Sequence, residues 1–310
     1  MDYPNAQALD SVIESPFSKA SILLAATPIG NTGDASERLR AALAHADIIA
    51  AEDTRRAHDL VRRLGLDDVV QAEFLSFFEH NEDARIPKLL DAARAGRKVV
   101  VISDAGMPGV SDPGMRLVQA AQASGMGGQV SVLPGPSAVL TALALSGLAT
   151  DRFTFEGFLP RKSGDIRSTL DALRFEQRTM VFFESPRRTM ATLEHMVQSF
   201  GPDRQASLCR ELTKTHEEVL SGTLGFISET LRTRQELLGE IALVISGYIS
   251  EGGDVEDAVL LPLLEELEQL VQLGVRPKDG AKHIAARQAT TLVTPIKANQ
   301  LYEAYLQRAN

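Results

Sequence analysis

Unbroken apolar runs alternate along this chain with segments whose apolar positions recur every three or four residues. The alternation predicts its elements. In the first half SILLAAT (21–27), DIIAAE (47–52), AEFLSFF (72–78), KVVVIS (98–103) and QVSVLPG read as strands. DASERLRAALAHA, TRRAHDLVRRLG, EDARIPKLLDAARAG, PGMRLVQAAQASG and SAVLTALALSG read as helices, with Gly65 and Gly96 as C-terminal stops. Repeated βα units predict a mostly parallel sheet with helices on both faces. From about Thr150, RFTFEGFLP, TMVFFES (179–185), QASLCREL and GEIALVISG (239–247) read as further strands. IRSTLDALRFE and PRRTMATLEHMVQSFG read as helices, the second with proline in its first turn, while EEVLSGTL is short and mixed. From Val255 onward the pattern is purely helical. The expected fold class is α/β. Its parts are a flexible leader at 1–20, an N-terminal α/β domain at 21–149, a C-terminal α/β domain at 150–250 and a helical tail at 251–310.

Composition narrows this little. The 310 residues are 44% apolar and 24% charged, which are globular values. The single cysteine, Cys209, excludes a disulfide framework and a thiolate metal cluster. The first twenty residues have neither a basic stretch nor an apolar core of signal-peptide type, and no apolar run approaches a membrane span. A soluble cytoplasmic protein is expected. The net charge of −9 argues against a general nucleic-acid binder. Charge is uneven, however: residues 251–270 hold seven acids and no base, and the tail beyond carries Arg276, Lys278, Lys282, His283, Arg287, Lys297 and Arg308.

The candidate chemistry sits in the loops after the strands, where open α/β sheets bind ligands. TPIGNTGD after the first strand, with Asp53 about twenty residues on, invites a dinucleotide reading, but only Gly30 and Gly33 are present and the G-x-G-x-x-G order is absent. In AEDTRR (51–56), Asp53 or Thr54 caps a helix, or Glu52, Asp53 and Arg55 form a polar cluster at the sheet edge. In FFEHNE (77–82), His80 is a base or a structural side chain. SDAGMPGVSDPG (103–114) is the most constrained loop, with glycine at 106, 109 and 114 and proline at 108 and 113. Asp104 leaves the strand directly into it, and LPGPSA (133–138) supplies a second such loop with Ser137 at a helix start. Two proline-glycine loops on neighbouring strand ends make a cradle. No H-E-x-x-H, C-x-x-C, G-x-S-x-G or Walker A motif is present, so zinc hydrolase, serine hydrolase and P-loop readings fall away.

Taken in order, TPIGN, AEDTR, EHNE, SDAGMPGVSDPG, PGPSA, FFESP, RELTKTHEE and GE closely resemble the bacterial 16S ribosomal RNA (cytidine) 2′-O-methyltransferases of the tetrapyrrole methylase superfamily, class III methyltransferases. The resemblance runs over about residues 21–247. It implies two α/β domains with S-adenosylmethionine in the cleft between them, a homodimer, and a target cytidine in the decoding region of 16S RNA within the 30S subunit. By motif, Pro28, Ile29, Gly30, Asp104, Gly106, Met107, Pro108, Ser137 and Ala138 would bind the cofactor, with Phe183, Leu212 and Ala242 closing from the second domain. Glu52, Asp53, His80, Glu211 and Lys214 are candidates to orient or deprotonate a ribose hydroxyl. Lys214 would need a lowered pKa, which burial could provide. No metal is implied. Two departures stand out: ESPHR reads ESPRR, so Arg187 replaces a histidine whose role does not carry over, and TPIGN continues as TGDASER where LxDIT is more usual. The tail resembles a small helix-turn-helix-like end, expected to contact RNA or to pack in a dimer. The alternatives are a small-molecule tetrapyrrole or corrinoid methylase and a non-enzymatic RNA-binding module on the same fold.

Overall fold

The structure is a computed structural model and describes residues 16–234, 236–249, 254–288 and 297–309. The chain divides into two compact units, Met1–Gly247 and Tyr248–Asn310. Of the leader, residues 1–15 lie outside the described residues. Phe17 packs against the first core with the Lys98 ammonium 5.6 Å from its ring, and Ala20 is buried.

The first unit opens with β1 (Ile22–Ala25), α1 (Glu37–His45), β2 (Ile48–Ala51), α2 (Thr54–Arg63), β3 (Glu73–Ser76), α3 (Glu82–Arg94), β4 (Val99–Ile102), α4 (Met115–Ala123), β5 (Val130–Leu133) and α5 (Ala138–Ser146). The five strands form a fully parallel sheet in the order β3-β2-β4-β1-β5. Along β4, Val99 and Val101 enter the core on one face, and Val100 and Ile102 the core on the other. Both faces are covered, so the strands read as continuous apolar runs.

The unit continues with β6 (Phe153–Phe158), α6 (Ser163–Ala172), β7 (Thr179–Glu184), α7 (Pro186–Phe200), β8 (Gln205–Arg210), β9 (Glu218–Thr223), α8 (Leu224–Arg232) and β10 (Ile241–Ile245). Their sheet, in the order β6-β7-β10-β8-β9, is parallel only between β6 and β7. The mixed segment EEVLSGTL is the edge strand β9, running into α8, and pairs with β8 from Gln205–Thr223 to Arg210–Glu218. One face of this sheet packs on α6, α7 and α8. The other packs on α5: Val139, Ala142 and Leu143, with Ile29 from the loop after β1, meet Val181, Cys209, Ala242 and Val244. That shared core joins the two sheets.

The second unit holds α9 (Asp254–Gln272), α10 (Pro277–Gln288) and α11 (Ala298–Ala309) around Leu260, Leu263, Leu264, Leu267, Ala281, Ile284 and Leu301. Among the described residues no helix is long and apolar enough to cross a membrane.

Candidate active site

The carboxyl ends of β1, β4 and β5 leave three loops that are tied together by their own backbones. Thr27 and Gly106 exchange two hydrogen bonds, at 2.9 and 3.1 Å, between the first loop and the Gly-Pro loop. Thr27 Oγ1 donates to the Ser103 carbonyl, and Ser103 Oγ donates to the Gly106 carbonyl. Gly106 turns at φ +84°, Gly109 at +85° and Gly114 at +135°, a region that favours glycine. Ser111, a non-glycine, also sits at φ +59°. The far end of the loop is pinned by the buried Glu82, which accepts from the Gly114 amide at 2.9 Å. The proline and glycine spacing therefore encodes a backbone cradle held from three sides.

This cradle faces the second sheet across a cavity of about 400 Å³. Ile29, Asp104, Gly106, Met107, Ser137 and Ala138 line it from the first sheet, and Phe183, Leu212 and Ala242 from the second. Pro28, Gly30 and Pro108 do not line it. Gly30 has a separate constraint: a Cβ there would lie 2.9 Å from Thr213 Oγ1, so a side chain would collide with the opposing loop.

The five residues put forward for proton chemistry are distributed differently. None lines the cavity. Asp53 caps α2, and its carboxylate is held at about pKa 2 by the Arg55 guanidinium and amide. His80 lies edge-on to Phe78, with ring centroids 6.4 Å apart. Glu211 and Lys214 form an ion pair at 2.7 Å that also reaches Glu240, which does line the cavity. The expectation that burial lowers the Lys214 pKa needs correcting. Burial does favour the neutral amine, but the hydrogen bonds that the ammonium donates to Glu211 and Glu240 outweigh it, and the pKa is raised. Lys214 is thus a charged clasp between strand-end loops.

Glu52 stands beside two acids of the cavity wall. Burial, then the charge of Asp104, pushes its carboxyl above the ordinary range, and it shares a hydrogen bond with Asp112. Asp112 lines the cavity and is pushed up to about 7 by burial and by Glu52. Asp104 completes the group: it accepts from the Asp53 amide at 3.2 Å and pairs with Arg56 at 3.1 Å. Sequence reasoning missed Asp112 and Arg56. Asp112 precedes Pro113 and reads as a turn residue, and Arg56 reads as a solvent-facing helix cation. Glu184 lines the cavity as well. It is buried, accepts from Thr192 Oγ1 at 2.6 Å and from the Ser185 amide at 2.7 Å, and so fixes the start of α7 at the cavity wall.

Residues 21–227 match the family model for Tetrapyrrole (Corrin/Porphyrin) Methylases. The ribosomal RNA small subunit methyltransferase I of Mycobacterium bovis is 45% identical over 94% of this chain and 96% of its own length. The enzyme of the same name from Halalkalibacterium halodurans is 38% identical over 86% of this chain and 90% of its own. The solved structure of the methyltransferase CobJ, 21% identical, covers 74% of this chain and 94% of that one with a TM-score of 0.53, a likeness of fold. The chain belongs to the tetrapyrrole methylase family, in its ribosomal RNA small subunit methyltransferase I branch, and is an S-adenosylmethionine-dependent methyltransferase.

Proposed function

We propose that the chain methylates the ribose 2′-hydroxyl of a cytidine in the decoding region of 16S RNA, acting on the 30S subunit in the cytoplasm as a homodimer. The observation that carries this reading is the cavity between the two sheets, with a glycine cradle on one wall and a proton-sharing carboxyl pair beside it.

The residues present fit S-adenosylmethionine. The bare turn at Gly106, at φ +84° in the cavity lining, lets a ligand approach the backbone. Ile29, Val139, Phe183, Leu212 and Ala242 offer an apolar wall, and the carboxylates of Asp104 and Glu240 suit a positively charged ligand. When bound, the cofactor supplies a methyl group already activated on a sulfonium. The protein then has to hold the acceptor in line and keep water out. Asp104 and the Gly106 backbone bind and orient, and the apolar wall excludes solvent. Asp112, pushed up to about 7 beside Glu52, accepts the proton that leaves the hydroxyl, as a base poised near working pH should. In the second unit Arg276, Lys278 and Lys282 present cations to RNA, whereas Arg287 is committed to Glu266 at 2.5 Å.

The test is an assay with methyl-labelled cofactor offered to 30S subunits, free 16S RNA and a tetrapyrrole. Label at one cytidine ribose of the subunit is the expected result. Label in the tetrapyrrole alone overturns the RNA reading, and label in a base overturns the 2′-hydroxyl.

A further inference from the structure

A second cavity, of about 520 Å³, adjoins the first, and Ser185 and Pro186 line both. Its walls come from the first turns of α7 and from the chain that leaves α8. Three features define what it can hold. Met190, Leu237 and Leu238 give it an apolar lining, and Leu238 is 61% exposed. Arg187 at its edge is exposed and enters no ion pair among the described residues. By contrast, the other cation of the lining, Arg234, spends both terminal nitrogens on Glu218, at 2.9 and 2.5 Å. Glu236 also lines the cavity, is exposed, and has no cation paired to it among the described residues.

An apolar slot with one unpaired cation and one unpaired carboxylate suits a single nucleotide better than a lipid or a peptide side chain. The apolar wall takes a base face, as single-stranded RNA is read by packing on splayed-out bases. Arg187 takes a phosphate. A carboxylate accepts from an exocyclic amine and repels a carbonyl oxygen, so Glu236 separates cytosine from uracil. The shared wall at Ser185 and Pro186 puts the ribose of that nucleotide next to the first cavity.

We infer that this second cavity receives the base of the nucleotide whose ribose is methylated, with Arg187 on its phosphate and Glu236 on its amino group; the inference rests on the RNA reading above. Arg187→Ala and Glu236→Gln, in the full chain, test it. Both side chains are exposed, so neither exchange disturbs a core. The substrates are reconstituted 30S subunits with cytidine or uridine at the methylated position. Arg187→Ala should raise KM for the subunit about tenfold, leave S-adenosylmethionine affinity within about twofold and lower the salt slope of RNA binding by about one. Glu236→Gln should shrink the cytidine-over-uridine preference at least about fivefold by removing the charged acceptor. Wild-type KM and preference in both variants overturn the assignment and leave the RNA reading standing. Failure of the wild-type protein to label either subunit overturns both.

Discussion

Asp104 and Asp112 are two acids of one loop with opposite tasks. Asp104 already holds the Asp53 amide and Arg56, so it is a fixed acceptor beside the cradle. Asp104→Ala should weaken S-adenosylmethionine binding by about tenfold or more, as expected when a charged hydrogen bond of about 1.5–3 kcal/mol is lost. Calorimetry on the folded variant measures it, and unchanged affinity removes Asp104 from the site. Asp112 has a folded pKa near 7 against an ordinary 3.8, so the folded chain holds a proton that the unfolded chain releases. Stability should therefore fall as pH rises from about 4 to 7. Asp112→Asn should flatten that part of the melting-temperature profile and remove the rise of the methylation rate up to about pH 7. A variant with the wild-type pH–rate limb would rule out Asp112 as the proton acceptor. Asp104 was legible because it stands directly at a strand end. Asp112 was not, since its burial beside Glu52 is created by a helix start some sixty residues earlier.

At the scale of the element, the Gly-Pro loop is specified by backbone geometry. Gly106→Ala places a side chain at φ +84°, which costs about 1–2 kcal/mol, and sets its Cβ 3.4 Å from Ile29. We expect a lower melting temperature and weaker cofactor binding together; a loss of stability with unchanged affinity would mean that the cradle does not touch the ligand. The parallel strands were legible because apolar runs covered on both faces leave no ambiguity of period. β9 was not legible. It alternates half-buried and exposed residues at a sheet edge and holds Gly222, so its strand character comes from pairing with β8. The antiparallel order of the second sheet was likewise hidden, because pairing partners are not a local property.

For the whole molecule, two consequences of surface character are testable. Replacing Arg276, Lys278 and Lys282 by glutamine should lower the salt slope of 30S binding by about two to three, at 0.7–0.9 per phosphate, and leave cofactor affinity unchanged. Filter binding across a salt series measures this, and an unaltered slope would assign the helical unit another role. On α5, Leu140 and Leu145 are 56% and 45% exposed, while Val139, Ala142, Leu143 and Ser146 of the same helix are buried. If they lie in the proposed dimer contact, Leu140→Glu with Leu145→Glu should give monomers in sedimentation at micromolar concentration. A dimer of wild-type strength would move the contact elsewhere. The tail's basic residues are legible in sequence, but the pairing of Arg287 with Glu266 is not, because it joins two helices.

The placement of α5 governs the order in which the chain can be completed during synthesis. The helix follows the last strand of the first sheet, yet its buried side packs on strands that end about a hundred residues later, at Ile245. At roughly 5–20 residues per second, the ribosome leaves Val139, Ala142 and Leu143 without their last partners, Ala242 and Val244, for roughly 5–20 s. The first sheet can close on its own in that interval, but the cavity between the two sheets cannot exist until the final strand has been released. A nascent chain stalled near residue 200 should therefore bind a hydrophobic dye and fail to retain S-adenosylmethionine.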